Sequence, residues 1–339
     1  MKSMANSVNS PRSLLGGSRL PAALAVLPAA LAILLAPEGA AGQSASVAGE
    51  YTAPRTPSGH PDLQGVWSNA VITPLERPAE LGDKAFLDAD EAEALETARV
   101  AAMNRDQRTD DATADVANAY NDFWWDSGTQ VVATRRTSLI VDPPDGQVPA
   151  LTPAAEARLA ALRPRGADGP EDTGLSTRCI HFGAAGPPMM PSSYNNNYQL
   201  VQTDDYVLII NEMVHETRIV PLDGRPRPPA SVGQWLGVSR GHWDRDTLVV
   251  ETTNFSDQKS FRGSGPNMFL TERFRRVADN ILIYEFTVDD PESFAQPWTA
   301  QIPSVRVDDL MYEYACHEGN RGMVGILAGA RAAERAGEN

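Results

Sequence analysis

The chain has 339 residues, 42% of them hydrophobic, which is enough for one large domain or two small ones with a sizeable core. Its formal net charge of −15 repels phosphate backbones and anionic membrane surfaces, so nucleic acid is excluded as an expected partner.

Residues 1–42 read as an export signal: Lys2, Arg12 and Arg19 precede the apolar run Leu20 to Ala36, and small residues follow at Gly39-Ala40-Ala41-Gly42. An uncleaved anchor is the alternative, but the run is at the short limit for spanning a bilayer and contains Pro21 and Pro28. The mature protein is therefore expected in the periplasm or secreted, without stable membrane insertion. Residues 43–60 are small and polar and read as a flexible linker, with residues 61–339 forming a single domain.

Pro61 to Trp67 carries a short strand signal around Gly65-Val66-Trp67. This resembles the first strand of calycins, the lipocalin-like barrels, in which the Trp plugs one end. Asp88 and Glu91 cap a helix running to about Asn104, with Leu95, Ala98 and Ala101 or Ala102 on one face. That helix belongs to an insertion spanning 83–130, whose end is dense in rings at Tyr120, Phe123, Trp124 and Trp125. These rings either pack on the sheet or line a ligand mouth. A strand from Arg135 turns at Pro144-Asp145-Gly146, and Thr152-Pro153 opens a helix that Pro164 stops.

From Tyr198 to Glu318 short runs rich in Val, Ile, Leu, Tyr and Phe alternate with turn residues: YQLVQ, YVLIINEM, TRIVPL, WLGVSRGHW, TLVVETTNF, LTERFRRV, ILIYEFTV, WTAQIPSVRV and MYEYACHE. Short polar connections cannot span a parallel crossover, so neighbouring strands should pair antiparallel. Asn320 can cap a last helix from about Arg321 to Ala336, whose Met323, Ile326, Leu327 and Ala330 form a stripe that should lie on the barrel or close one end. The expected fold is mainly β: an antiparallel meander closing into a calycin-like barrel, with a helical insertion and a C-terminal helix. The mature sequence also resembles a widespread, mostly uncharacterised family of exported bacterial proteins, through NAYNDFWWDSG, RTSLIVDPPDG, SYNNNYQLVQT, EMVHETRIVPLDGR, DTLVVETTNF, LIYEFTVDDP and YEYACHEGN. That resemblance implies no particular activity.

No Walker loop, dinucleotide fingerprint, Gly-x-Ser-x-Gly elbow or His-Glu-x-x-His motif is present, which argues against nucleotide enzymes, Rossmann-type oxidoreductases and ordinary serine hydrolases. In an exported protein Cys179 and Cys316 are expected to pair, removing unfolded-state entropy worth roughly 5 kcal/mol. The bridge would bring His181 close to His317 and Glu318, which could bind a metal, relay protons or hydrogen-bond loop backbone. Glu212 and His215 have odd separation and cooperate only if a bulge or turn intervenes near Met213; an inward His215 would be a general acid or base. Tyr194, Asn195 and Asn196 can hydrogen-bond a polar ligand or form a turn. Glu251, Glu285 and Glu313 are read as outer-face carboxylates paired with Arg273, Arg275 or Arg276, and Arg136, Arg178 and Arg218 could clamp an anion or pair with surface acids.

These residues lead to a cofactor-independent lyase, isomerase or hydratase acting on a small molecule held in the barrel. Its catalytic residues would be His215, His181 and Glu212. Substrate contacts would come from Tyr194, Asn195, Asn196, Trp124, Trp125, Arg218 and His317, with no metal ligand. The alternative is a non-catalytic binding protein for an apolar ligand or glycan, and a third possibility is an envelope scaffold with a filled barrel.

Overall fold

The computed structural model describes residues 51–103, 110–112, 115, 125–161 and 166–337. The expected leader, Tyr120, Phe123 and Trp124 lie outside them. The folded part starts earlier than expected, because residues 51–60 are not a free linker. Ala53 is buried, the Tyr51 hydroxyl donates to Asp279 at 3.0 Å, and Arg55 pairs with Asp246 at 2.9 Å.

Ten strands form one antiparallel sheet. They are β1 (Gly65–Ser68), β2 (Ile140–Asp142), β3 (Asn197–Gln202), β4 (Tyr206–Asn211), β5 (Thr217–Pro221), β6 (Val238–Asp244), β7 (Thr247–Thr253), β8 (Phe269–Ala278), β9 (Ile281–Asp289) and β10 (Trp298–Val307). The order is β5-β4-β3-β1-β10-β9-β8-β7-β6, with β2 also on β10. Period-two alternation decides the buried face. Leu270, Glu272, Phe274 and Arg276 of β8 point inward, as do Leu282, Tyr284, Phe286 and Val288 of β9 and Trp298, Ala300, Ile302 and Ser304 of β10. Trp67 is fully buried, and its indole donates to the Leu63 carbonyl at 2.9 Å.

The sheet is strongly rolled. Arg218 of β5 and Glu272 of β8 lie six positions apart in the strand order, which in a flat sheet would separate them by about 29 Å. Their side chains nevertheless meet at 2.5 Å. At the seam between β5 and β6, a Cβ on Gly241 would fall 2.7 Å from Leu222 and 2.8 Å from Val220, so glycine permits that approach. No hydrogen-bonded ladder joins β5 to β6, and the sheet is therefore not closed.

Three helices accompany the sheet among the described residues: α1 (Ala89–Met103), α2 (Pro153–Ala161) and α3 (Arg321–Ala336). Asp88 and Glu91 exchange hydrogen bonds with each other's backbone amides at 2.9 Å, the reciprocal cap that starts α1. The stripe expected to bury α1 faces solvent instead: Leu95 is exposed, as are Ala98, Ala101 and Ala102. The helix is seated through Ala92 against Leu87 and Val131. Thr152 caps α2 by accepting from Ala155 N at 3.2 Å, and Asn320 caps α3 by accepting from Met323 N at 3.2 Å. No residue of α3 is buried. Rather than closing the sheet, α3 lies on the loop before β3, where Arg331 donates to the carbonyls of Ala167 and Asp168 and Asn320 to that of Thr177. MYEYACHE is not a strand. The edges of β10 are already taken by β9 on one side and by β1 and β2 on the other, so a following strand finds no partner there.

Candidate active site

Three irregular segments carry the chemistry-bearing side chains to one place: the loop from Thr177 to Pro191, the connection between β4 and β5, and the connection between β7 and β8. Cys179, held at φ 54°, is bridged to Cys316 with Cα atoms 5.7 Å apart. The bridge anchors the backbone just before His181.

His181 is 4% exposed, and its Nδ1 lies 3.1 Å from both carboxylate oxygens of Glu216. A carboxylate only accepts, so Nδ1 carries the hydrogen and the neutral ring keeps its lone pair on Nε2. Nε2 is buried and has no hydrogen-bond partner. Burial pushes the His181 pKa below its ordinary value and the nearby Lys259 charge adds to this, while Glu216 opposes it.

Lys259 lies beside His181 on the wall of the same cavity, of about 220 Å³, with Leu175, Ser176, Pro187 and Phe261. Its ammonium position is 3.3 Å from the Pro187 carbonyl, 3.4 Å from that of Gly186 and 5.5 Å from the centre of the Phe255 ring. Desolvation pulls its pKa down to about 7; Arg218 pushes the same way, and Glu216 and Glu272 oppose. At neutral pH a large share of this amine is uncharged and nucleophilic.

The carbonyls facing Lys259 belong to a turn that requires glycine. Gly186 has φ 83°, and a Cβ there would sit 2.6 Å from Met189 N. Met189 N donates to the Tyr284 hydroxyl at 3.0 Å, and that hydroxyl donates to Glu272 at 2.7 Å. Glu272 in turn takes both terminal nitrogens of Arg218, at 2.5 and 2.9 Å. Burial opposes the charge on Arg218, but Glu272 outweighs it and holds the guanidinium above its ordinary pKa. The cavity wall is thus tied by hydrogen bonds to an ion pair in the interior of the sheet.

Among the residues singled out by sequence, only His181 and the two cysteines belong to this cluster. Glu212 and His215 are separated by a turn at Met213–His215, in which Val214 and His215 have φ of 52° and 44°. The turn sends His215 outward, with its side chain 46% exposed and Nδ1 3.0 Å from the Tyr314 carbonyl. Glu212 accepts from Asn197 N at 3.3 Å. His317 and Glu318 are exposed despite the bridge. Asn196 is consumed by the backbone of Ser192 and Asp126, Asn195 sits in the loop at φ 56°, and Tyr194 packs edge-on to Trp125 at 6.4 Å. Arg218 is committed to Glu272 and so is not a free clamp. Glu251 pairs with Arg227, and Glu313 lies 3.9 Å from His215, instead of with the arginines of β8. Among the described residues no group of three His, Cys, Asp or Glu side chains is placed to hold a metal ion.

Glu216, Lys259, Glu272 and Tyr284 were missed. Glu272 shares parity with Leu270 and Phe274, which was a readable sign of burial. Lys259 is one of only three lysines, with Lys2 and Lys84, in a chain of 29 basic residues. Glu216 had no such sign, because its partner lies 35 positions away.

A larger cavity, of about 460 Å³, is lined by the next residues of the same segments, Met190 to Ser193 and Arg262, together with Val71 to Leu75 and Arg99. Its ionisable lining is Arg99 and Arg262, which can bind an anion but cannot move a proton near neutrality. No protein-family model, curated protein or solved structure matches the chain. No helix among the described residues is long and apolar enough to cross a membrane.

Proposed function

We propose that the protein is an exported acid–base enzyme of lyase, isomerase or hydratase type acting on a small molecule. Nε2 of His181 is the proton carrier, Glu216 holds its tautomer, and Lys259 stands beside it as an amine. The observation that supports this most directly is Nε2 itself, buried and unpartnered at the wall of a cavity. A substrate donor, or a proton taken from substrate, would satisfy it. The carboxylate–imidazole pair is the usual way to fix which nitrogen acts as base.

In this reading the rolled sheet works as a calycin-like barrel whose β5–β6 seam is sealed by side chains. Export rests on the leader and on the resemblance to exported bacterial proteins, and the disulfide, which persists in oxidising compartments, supports it. A carrier of a small anion is the second reading, favoured by Arg99 and Arg262 on the larger cavity.

The test is deuterium exchange from D2O into a panel of small ketones, hydroxy acids and unsaturated acids, followed by proton NMR. For an accepted compound, His181→Gln is expected to slow exchange by about 100-fold or more, whereas the exposed His242→Gln leaves it unchanged. Equal exchange by wild type and His181→Gln would move the assignment to the carrier reading.

A further inference from the structure

We infer that Lys259 is an imine-forming lysine and that the substrate class of this cavity is a small aldehyde or ketone, an inference that rests on the acid–base reading of the same site. Wherever else this mature chain needs a cation it uses arginine, save at the exposed Lys84, which pairs with Glu91. A guanidinium cannot lose its proton and so cannot serve as an amine nucleophile. A lysine kept for structure would be ion-paired, yet the two carboxylates whose charges reach Lys259 are taken by other partners: Glu216 by His181 and Glu272 by Arg218. What remains for Lys259 is two hydrogen bonds to backbone carbonyls, at 3.3 and 3.4 Å, and an aromatic face, with no carboxylate of its own, inside a cavity whose apolar walls include Leu175, Pro187 and Phe261. Desolvation of this kind activates lysines towards carbonyl groups.

The step balances without oxidant or co-reactant. The nitrogen lone pair of Lys259 attacks the carbonyl carbon, and the C=O π pair moves to oxygen. His181 Nε2 accepts a proton from nitrogen and returns it to that oxygen, giving a carbinolamine. A second proton carried the same way lets the oxygen leave as water while the nitrogen lone pair closes the C=N bond. Amine plus carbonyl thus become imine plus water. The imine nitrogen then takes up a proton from solvent, and the resulting iminium acidifies the neighbouring C–H, which is the proton a lyase, isomerase or hydratase must move.

The full-length protein is incubated with propanal or, separately, pyruvate and sodium cyanoborohydride at pH 7, and alkylated lysines are mapped by peptide mass spectrometry. Lys259 is expected to be labelled on the order of ten-fold or more faster than Lys84, although Lys84 is the exposed one. Lys259→Met should lose that label and keep the slow one on Lys84, and His181→Gln should slow labelling of Lys259 alone. Labelling of Lys84 at a rate equal to or above that of Lys259 in the unaltered protein overturns the inference, whether or not the variants fold. Absence of trapping with His181-dependent deuterium exchange would remove the imine and keep the proton carrier. Trapping with exchange indifferent to His181 would do the reverse.

Discussion

Replacing Glu272 by Gln is expected to lower the free energy of unfolding by about 3–5 kcal/mol, because it strands a buried guanidinium that cannot neutralise itself. Both partners are essentially inaccessible, with side chains 2% and 0% exposed, so water cannot replace the lost charge. The amide still accepts from one nitrogen and from the Tyr284 hydroxyl, which separates the charge effect from simple loss of hydrogen bonds. The double variant Arg218→Met with Glu272→Leu removes both charges at similar volume, and it should recover most of the loss or exceed the parent in stability. Denaturant titration of the two variants decides the matter. If both are equally destabilised, the pair acts by shape and packing and the electrostatic account is wrong.

The second large effect concerns the disulfide. Closing a loop between positions 137 apart removes unfolded-state entropy worth about 5 kcal/mol, which is an upper limit here. It is an upper limit because the bridge also orders the C-terminal segment in the folded state, where α3 has no fully buried residue, only a half-buried stripe at Met323, Leu327 and Ala330, and is held by a few hydrogen bonds. Removing the bridge with Cys179→Ser and Cys316→Ser should therefore act twice. The melting temperature falls, and hydrogen exchange in Arg321–Ala336 accelerates before exchange in β8 to β10. Unchanged protection of α3 in the double serine variant would mean that its contacts with residues 167–177 suffice without the bridge.

How far the sequence discloses this molecule follows from which forces act locally. Caps are local, so Asp88 with Glu91, Thr152 with Pro153, and Asn320 announce their helices within a residue or so. Strand alternation is local too, and every expected strand through WTAQIPSVRV is present. MYEYACHE has the same alternation, but both edges of β10, the strand before it, are already taken, which is a property of the whole sheet. The apolar stripe of α3 likewise says that the helix is amphipathic without saying what it meets. The site is the least local feature. His181 meets Glu216 only because the turn at Val214 and His215 places Glu216 at the mouth of β5, and that same turn carries His215, the stronger sequence candidate, out to solvent. Lys259 gains its character from the carbonyls of Gly186 and Pro187 and from burial, none of which is written near it in the chain.

Lys259 is a buried amine on the same cavity wall as His181, and its titration reports on that environment. Its folded pKa of about 7 lies below the ordinary lysine value, so the unfolded chain takes up a proton between them. The stability linked to this group is complete above about pH 10.4 and is lost as pH falls through about 7, a slope that Lys259→Met should erase. The direct measurement is a carbon NMR titration of protein labelled at lysine Cε, in which Lys259→Met assigns the resonance. A midpoint near 7 for Lys259 is the predicted result, and a midpoint within about one unit of the ordinary lysine value of about 10.4 would contradict it.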